Sequence, residues 1–247
     1  MRLTFTLLFT IFLGGSMVAN AQANKKKIVK HSPINLGKKK LPVSKKPIYI
    51  NETATRVKIT TDSGVLIIRL YDSTPLHRDN FVKLVKQGFY DSLLFHRVIP
   101  QFMIQGGDPM SKTAVSGALI GNGGDNLQRI PAEIKTQYFH KRGALAAARD
   151  GNPEKASSGC QFYLVQGKKL SPAEIVIAEQ RTGKKFTEAE KKLYSVDGGT
   201  PWLDGQYTVF GETESGFEVI DKIAAMARDS NNRPLTDIRM KIEILEP

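Results

Sequence analysis

From Arg56 the chain alternates apolar and polar positions: Val57 and Ile59, a break at Asp62-Ser63-Gly64, then Val65 to Ile68 and Leu70. Period two on both sides of a turn predicts a β-hairpin. At Thr74-Pro75 the spacing changes, and Phe81, Leu84 and Val85 recur at helical intervals before Gly88. Thr74 at the N-cap, proline at the first helical position and glycine as the stop predict a helix. Short β-like runs then recur around 94–99, 102–105, 144–149, 160–166 and 207–211, separated by glycine-rich turns. A second helix is predicted at about 217–227, and Met240, Ile242 and Ile244 alternate in a closing strand. Many short strands with only two core helices argue for an antiparallel barrel rather than βαβ units.

Residues 168–199 break this rhythm. Ser171-Pro172-Ala173-Glu174 and Thr187-Glu188-Ala189-Glu190 both match the S/T-x-x-E capping box, with Gly183 between them. Two capped helices joined at a glycine predict a helical hairpin inserted between strands. Its charges alternate in sign, so a solvated surface insertion is the plain expectation, with docking to a partner as the alternative.

Before Arg56 the chain is of a different kind. Met1-Arg2, an apolar run from Leu3 to Leu13, and Ala19-Asn20-Ala21 have the architecture of a secretory signal peptide cleaved after Ala21. The run is short of the ~20 residues a spanning helix needs, so no stable membrane span is expected after cleavage. An exported, periplasmic or secreted protein follows. Residues 22–50 carry nine lysines, no acidic residue, and prolines at 33, 42 and 47. That composition predicts an extended, self-repelling linker ahead of a folded domain at 51–247.

Composition changes the picture in one respect. The 247 residues, 40% hydrophobic and 24% charged, are ordinary for a globular chain, but the net charge is +12. A charge of that size points first to polyanions such as nucleic acid. Nine of the charges sit in the linker and one in the leader, leaving +2 on residues 51–247. With no aromatics interleaved among the lysines for base stacking, nucleic acid is not the expected partner, and the near-neutral body argues against another reading, an oligonucleotide-binding barrel. The single cysteine, Cys160, rules out an internal disulfide framework, and histidines at 31, 77, 96 and 140 show no metal-ligand spacing. Cys160 lies inside the run Gly159-Cys160-Gln161-Phe162-Tyr163, where a buried, inert thiol is expected. No GxSxG elbow, HExxH helix or Walker loop is present.

The segment Phe95-His96-Arg97-Val98-Ile99-Pro100-Gln101-Phe102-Met103-Ile104-Gln105-Gly106-Gly107-Asp108-Pro109 interleaves an arginine, a phenylalanine, a methionine and a glutamine with aliphatic residues. It closely resembles the signature of cyclophilins, the peptidyl-prolyl cis-trans isomerases. Ser158 to Tyr163, Trp202 to Gly211, and the helix block from Asn80-Phe81 to Gly88-Phe89-Tyr90 agree in order. The resemblance spans about 55 to 246, interrupted by the insertion.

The resemblance implies a mainly β fold, a closed eight-stranded antiparallel barrel capped by two helices, and isomerisation of X-Pro bonds without metal or cofactor. Arg97 matches the catalytic arginine, and Gln105 the glutamine that orients it and the substrate carbonyl. Phe102, Met103 and Leu203 match the apolar walls of the proline pocket, with Tyr163 at a position that is usually phenylalanine. Gln161 and Ala148 match backbone-binding positions beside the pocket. Trp202 matches the rim tryptophan that goes with sensitivity to cyclosporin, which implies binding of such inhibitors. Tyr207 stands where many members carry histidine, and Arg149 where asparagine is common. His96 is expected to be structural, since alternation turns it to the face opposite Arg97. The implied partners are proline-containing polypeptides in exported clients, and a monomer is expected. The second reading is a non-catalytic module that holds proline segments as a chaperone or adaptor. The intact Arg97, Phe102, Gln105 set favours catalysis.

Overall fold

The structure, a computed structural model, describes residues 54–245, so the expected leader and lysine linker lie outside the described residues. Eight strands form one mainly β architecture: β1 (Arg56–Thr61), β2 (Gly64–Leu70), β3 (Phe95–Ile99), β4 (Met103–Gly106), β5 (Ala144–Ala147), β6 (Phe162–Val165), β7 (Val209–Ser215) and β8 (Met240–Leu245). They pair antiparallel in the order β3-β4-β6-β5-β7-β2-β1-β8. The sheet curls until its end strands meet, but the ladder does not run continuously round a closed ring. Between β3 and β8 stands one isolated bridge, Leu94 to Arg239. Beside it the Ser92 amide donates to the Met240 carbonyl at 2.9 Å, and the Phe95 amide to that of Ile238 at 3.0 Å.

The inward positions of the alternating strands fill the core. Val57, Ile59, Leu66, Ile68, Val98, Ile104, Phe162, Leu164 and Ile242 are buried there. Helix α1 (Pro75–Lys86) contributes Phe81, Leu84 and Val85 at helical spacing. Helix α4 (Phe217–Ala224), shorter than predicted, contributes Val219, Ile220 and Ile223. The β1–β2 turn needs Gly64: its φ is +135°, and a Cβ there would sit 2.7 Å from Val219 Cγ2.

The start of α1 is built differently from the sequence expectation. Thr74 occupies the N-cap, yet its hydroxyl donates back to the Tyr71 carbonyl and caps nothing. Glu133, far along the chain, accepts the Leu76 amide at 3.2 Å and the His77 amide at 3.0 Å instead. A carboxylate on the free amides of a first turn is favourable for the helix dipole as well.

Residues 168–199 hold α2 (Pro172–Thr182) and α3 (Glu188–Val196). Both capping boxes form, at Ser171/Glu174 and Thr187/Glu190, and Gly183 ends α2 at φ +66°. The segment is not merely solvated. Leu170, Ile175, Ala178, Phe186 and Tyr194 bury themselves in a small core of their own, against Phe139 and Leu193. Among the described residues no helix is long and apolar enough to cross a membrane.

Candidate functional site

The β3–β4 hairpin sets Arg97 opposite Gln105. Gln105 in turn lies opposite Tyr163 on β6. At the tip, Gln101 takes φ +60° and its amide donates to the Gln166 side chain at 2.6 Å, while the Phe102 carbonyl accepts the amides of Gln166 and Gly167. That fixed turn carries Phe102 and Met103 onto the outer face of the sheet, the side opposite the core-facing Ile104 and Leu164.

Across it runs a chain of amides. Arg97 Nη1 donates to Gln105 Oε1 at 3.1 Å, and Gln105 Nε2 to Gln161 Oε1 at 3.0 Å. Gln161 Nε2 ends the chain on the carbonyls of Gly121 and Gly123, both at 3.0 Å. Each amide orientation is fixed by the next, so the guanidinium is held from one side only. Arg97 forms no ion pair among the described residues, and its partial burial lowers its hold on its proton. A half-desolvated cation without a counter-ion gains from any acceptor brought to it.

Arg97 and Gln105 form one side of a cavity of about 270 Å3, also lined by Phe102, Met103, Ala148, Arg149, Tyr163, Leu203 and Tyr207. The room exists because the apolar cluster beneath it is built from Ala144, Ala146 and Ala148, with Tyr163, Met103 and Val209 around them. Tyr163 and Tyr207 meet edge to face at 5.9 Å, and burial keeps the Tyr163 phenol firmly protonated. Trp202 stacks on Phe102, ring centroids 6.4 Å apart, from the short 3-10 turn Pro201–Leu203.

The structure thus gathers Arg97, Gln105, Phe102, Met103, Ala148, Tyr163, Leu203 and Tyr207 on one cavity, with Trp202 behind Phe102. Gln161 lines a neighbouring cavity of about 470 Å3, which shares Gln105, Ala148 and Arg149 with the first. Gly121 to Asp125, Arg129 and Asp150 complete that second hollow, with Arg129 paired to Asp150. Sequence reasoning missed this loop; its Gly121-Asn122-Gly123-Gly124-Asp125 run was the available signal. Cys160 is buried, its thiol pushed up to about 11 by desolvation, as expected of an inert thiol.

His96 departs from the expected alternation. The ladder shifts register between Phe95 and Arg97. His96 sits in that irregularity, and His96 and Arg97 both line a cavity of about 170 Å3 with Asn122, Asp229 and Arg233. Neither His96 ring nitrogen has a partner among the described residues.

Residues 56–243 match the family model described as "Cyclophilin type peptidyl-prolyl cis-trans isomerase/CLD". The chain is 35% identical over 190 residues to a Staphylococcus haemolyticus protein named "Putative peptidyl-prolyl cis-trans isomerase", covering 76% of this chain and 90% of that one. A Streptococcus pyogenes protein named "Putative bifunctional phosphatase/peptidyl-prolyl cis-trans isomerase" is 35% identical over 202 residues, but the chain spans only 40% of its length. A Cryptosporidium parvum cyclophilin-type isomerase structure superposes with a TM-score of 0.59 at 26% identity, covering 78% of this chain and 99% of that one. The same protein in the presence of the dipeptide Ala-Pro gives 0.56 at 25% identity.

Proposed function

The chain belongs to the family of cyclophilin-type peptidyl-prolyl cis-trans isomerases, and is an isomerase; on that premise we propose that it accelerates X-Pro isomerisation by stabilising the twisted amide through Arg97. Amide resonance sets a rotation barrier of ~18–20 kcal/mol, and uncatalysed exchange takes tens of seconds or longer. Catalysis requires tighter binding of the twisted amide than of either planar isomer. As the C–N bond turns, the proline nitrogen loses conjugation and gains a lone pair. A donor aimed at that nitrogen interacts with the twisted state and hardly at all with the planar ones. Arg97 supplies a permanently charged fork of donors, and Gln105 occupies one nitrogen of it. Phe102, Met103, Tyr163 and Leu203 wall the space for the proline ring.

The observation that carries this reading is the Arg97 guanidinium, without an ion pair among the described residues and tethered by Gln105 at the edge of that apolar hollow. It is tested by peptide isomerisation with the full chain against Arg97→Ala. The expected loss in kcat/KM is about 10²- to 10³-fold; equal rates overturn the assignment. A wild type that binds proline peptides without turning them over supports the chaperone reading instead.

Export belongs to the same proposal and rests on the Met1–Ala21 leader pattern. The clients are then exported polypeptides, the lysine-rich segment a spacer, and the working form a monomer. N-terminal sequencing of the mature chain is expected to begin at Gln22; a retained Met1 overturns it. Trp202 beside Phe102 supports binding of cyclosporin-type inhibitors in the same groove, checked by inhibition of turnover.

A further inference from the structure

The two inserted helices leave and rejoin the fold at one point, where the Gly199 amide donates to the Lys168 carbonyl at 3.1 Å. Neither helix lines the proline cavity. One side chain of α3 nevertheless connects to it. Tyr194 is fully buried, and its hydroxyl donates to Asp204 Oδ2 at 2.5 Å. The other oxygen of Asp204 accepts the His140 backbone amide at 2.8 Å and faces His140 Nδ1 at 2.9 Å. His140 Nε2 then meets the Tyr163 hydroxyl at 3.0 Å.

The carboxylate orients the ring. Asp204 accepts, so Nδ1 donates to it, and Nε2 is left facing the Tyr163 hydroxyl as its hydrogen-bond partner. His140 is fully buried and its ring stacks on Tyr163 with an interplanar angle of 14°. Asp204 also directly follows Leu203, so the same carboxylate anchors two walls of the cavity. A phenylalanine at position 163 has no hydroxyl with which to join such a chain.

We propose that the insertion is a buttress for the proline pocket, with Tyr194 a positioning residue that sets the tilt of the Tyr163 ring through Asp204 and His140. The inference rests on the reading of that cavity as the proline site. Tyr194→Phe keeps the ring packing and removes only the hydroxyl. In the full chain it is expected to lower kcat/KM for a proline tetrapeptide roughly three- to tenfold. It is also expected to shift the emission of Trp202, the single tryptophan, which lies two residues from Asp204. In a Tyr163→Phe background the further loss in kcat/KM disappears. Unchanged kinetics and emission overturn the proposal, as does an equal fractional loss in both backgrounds. Asp204→Asn, which keeps the shape of the link, repeats the test if Tyr194→Phe does not fold. A wild type without turnover overturns the catalytic reading alone; the Trp202 emission shift on tetrapeptide binding still decides whether Tyr194 positions the pocket.

Discussion

The Arg149 guanidinium carbon stands 4.6 Å from the centroid of the Tyr207 ring. Its nitrogens donate to the backbone carbonyls of Gln206 at 3.0 Å and Asp150 at 2.8 Å, so the arginine is strapped across the groove rather than free in solvent. The two residues that depart from the family pattern on this wall are therefore one unit: the ring supplies a π face for the charge, and the charge lines the cavity. Arg149→Ala is expected to raise KM about two- to fivefold for a proline peptide carrying a glutamate, and to leave a neutral peptide nearly unaffected. The difference should shrink from low to high salt, as the field is screened. Equal changes for both peptides, independent of salt, would remove the electrostatic role of Arg149.

Gln161 does not touch Arg97, yet it supplies the acceptor that fixes the Gln105 amide. Gln161→Leu leaves Gln105 Nε2 without that partner and lets the amide turn, so Oε1 no longer meets Arg97 in one orientation. About a tenfold fall in kcat with little change in KM is expected, because under the proposed mechanism the twisted state depends on Arg97 aim and the planar substrate does not. A rise in KM at unchanged kcat would make Gln161 a binding group instead.

Both capping boxes of the insertion were legible because each is local, a serine or threonine and a glutamate three positions apart. The β1–β2 hairpin, the strand alternation and the signature around Arg97 were legible for the same reason. The true cap of α1 was not, since Glu133 reaches it from a distant loop and nothing near Thr74 announces it. The bulge at His96 is a property of pairing with β4, invisible in either strand alone. Tyr194 read as one more residue of an alternating-charge helix; only the return of the chain at Gly199 brings it to Asp204. Tertiary partners, rather than propensities, account for each miss.

His96 gives the fold an acid sensitivity. Burial, reinforced by the neighbouring Arg97 and Arg233 charges and only partly offset by Asp108, pushes it down to about 4 from an ordinary 6.5. Between those values the unfolded chain takes up a proton that the folded one refuses. Stability is therefore full above about pH 6.5 and is lost as pH falls toward 4, by on the order of 3 kcal/mol. His77, also lowered chiefly by burial, acts with the same sign. Urea midpoints measured across this window should fall steeply for the wild type and less steeply for His96→Phe. Parallel profiles would exclude His96 as the source.

Two glycines of the insertion separate strain from collision. Gly183 takes φ +66°, and a Cβ built on it meets nothing within 4 Å. Gly183→Ala therefore bears only the left-handed backbone penalty, about 1–2 kcal/mol. Gly199, at φ +147°, would bring a Cβ to 2.3 Å from the His140 carbonyl oxygen and 2.8 Å from Lys141 Cα. These two are backbone atoms, the Tyr194 ring carbon Cε1 stands equally close at 2.8 Å, and the His140 carbonyl is already engaged by the Thr200 amide at 2.8 Å. Neither backbone atom can move without shifting the imidazole that holds Tyr163. Gly199→Ala is expected to cost roughly 2–4 kcal/mol in chemical denaturation and to lower isomerase activity in the protein that remains folded. Gly183→Ala should leave activity intact, because its strain ends at the tip of the two helices. Equal activity in the two variants would mean that the junction at Gly199 does not reach the pocket.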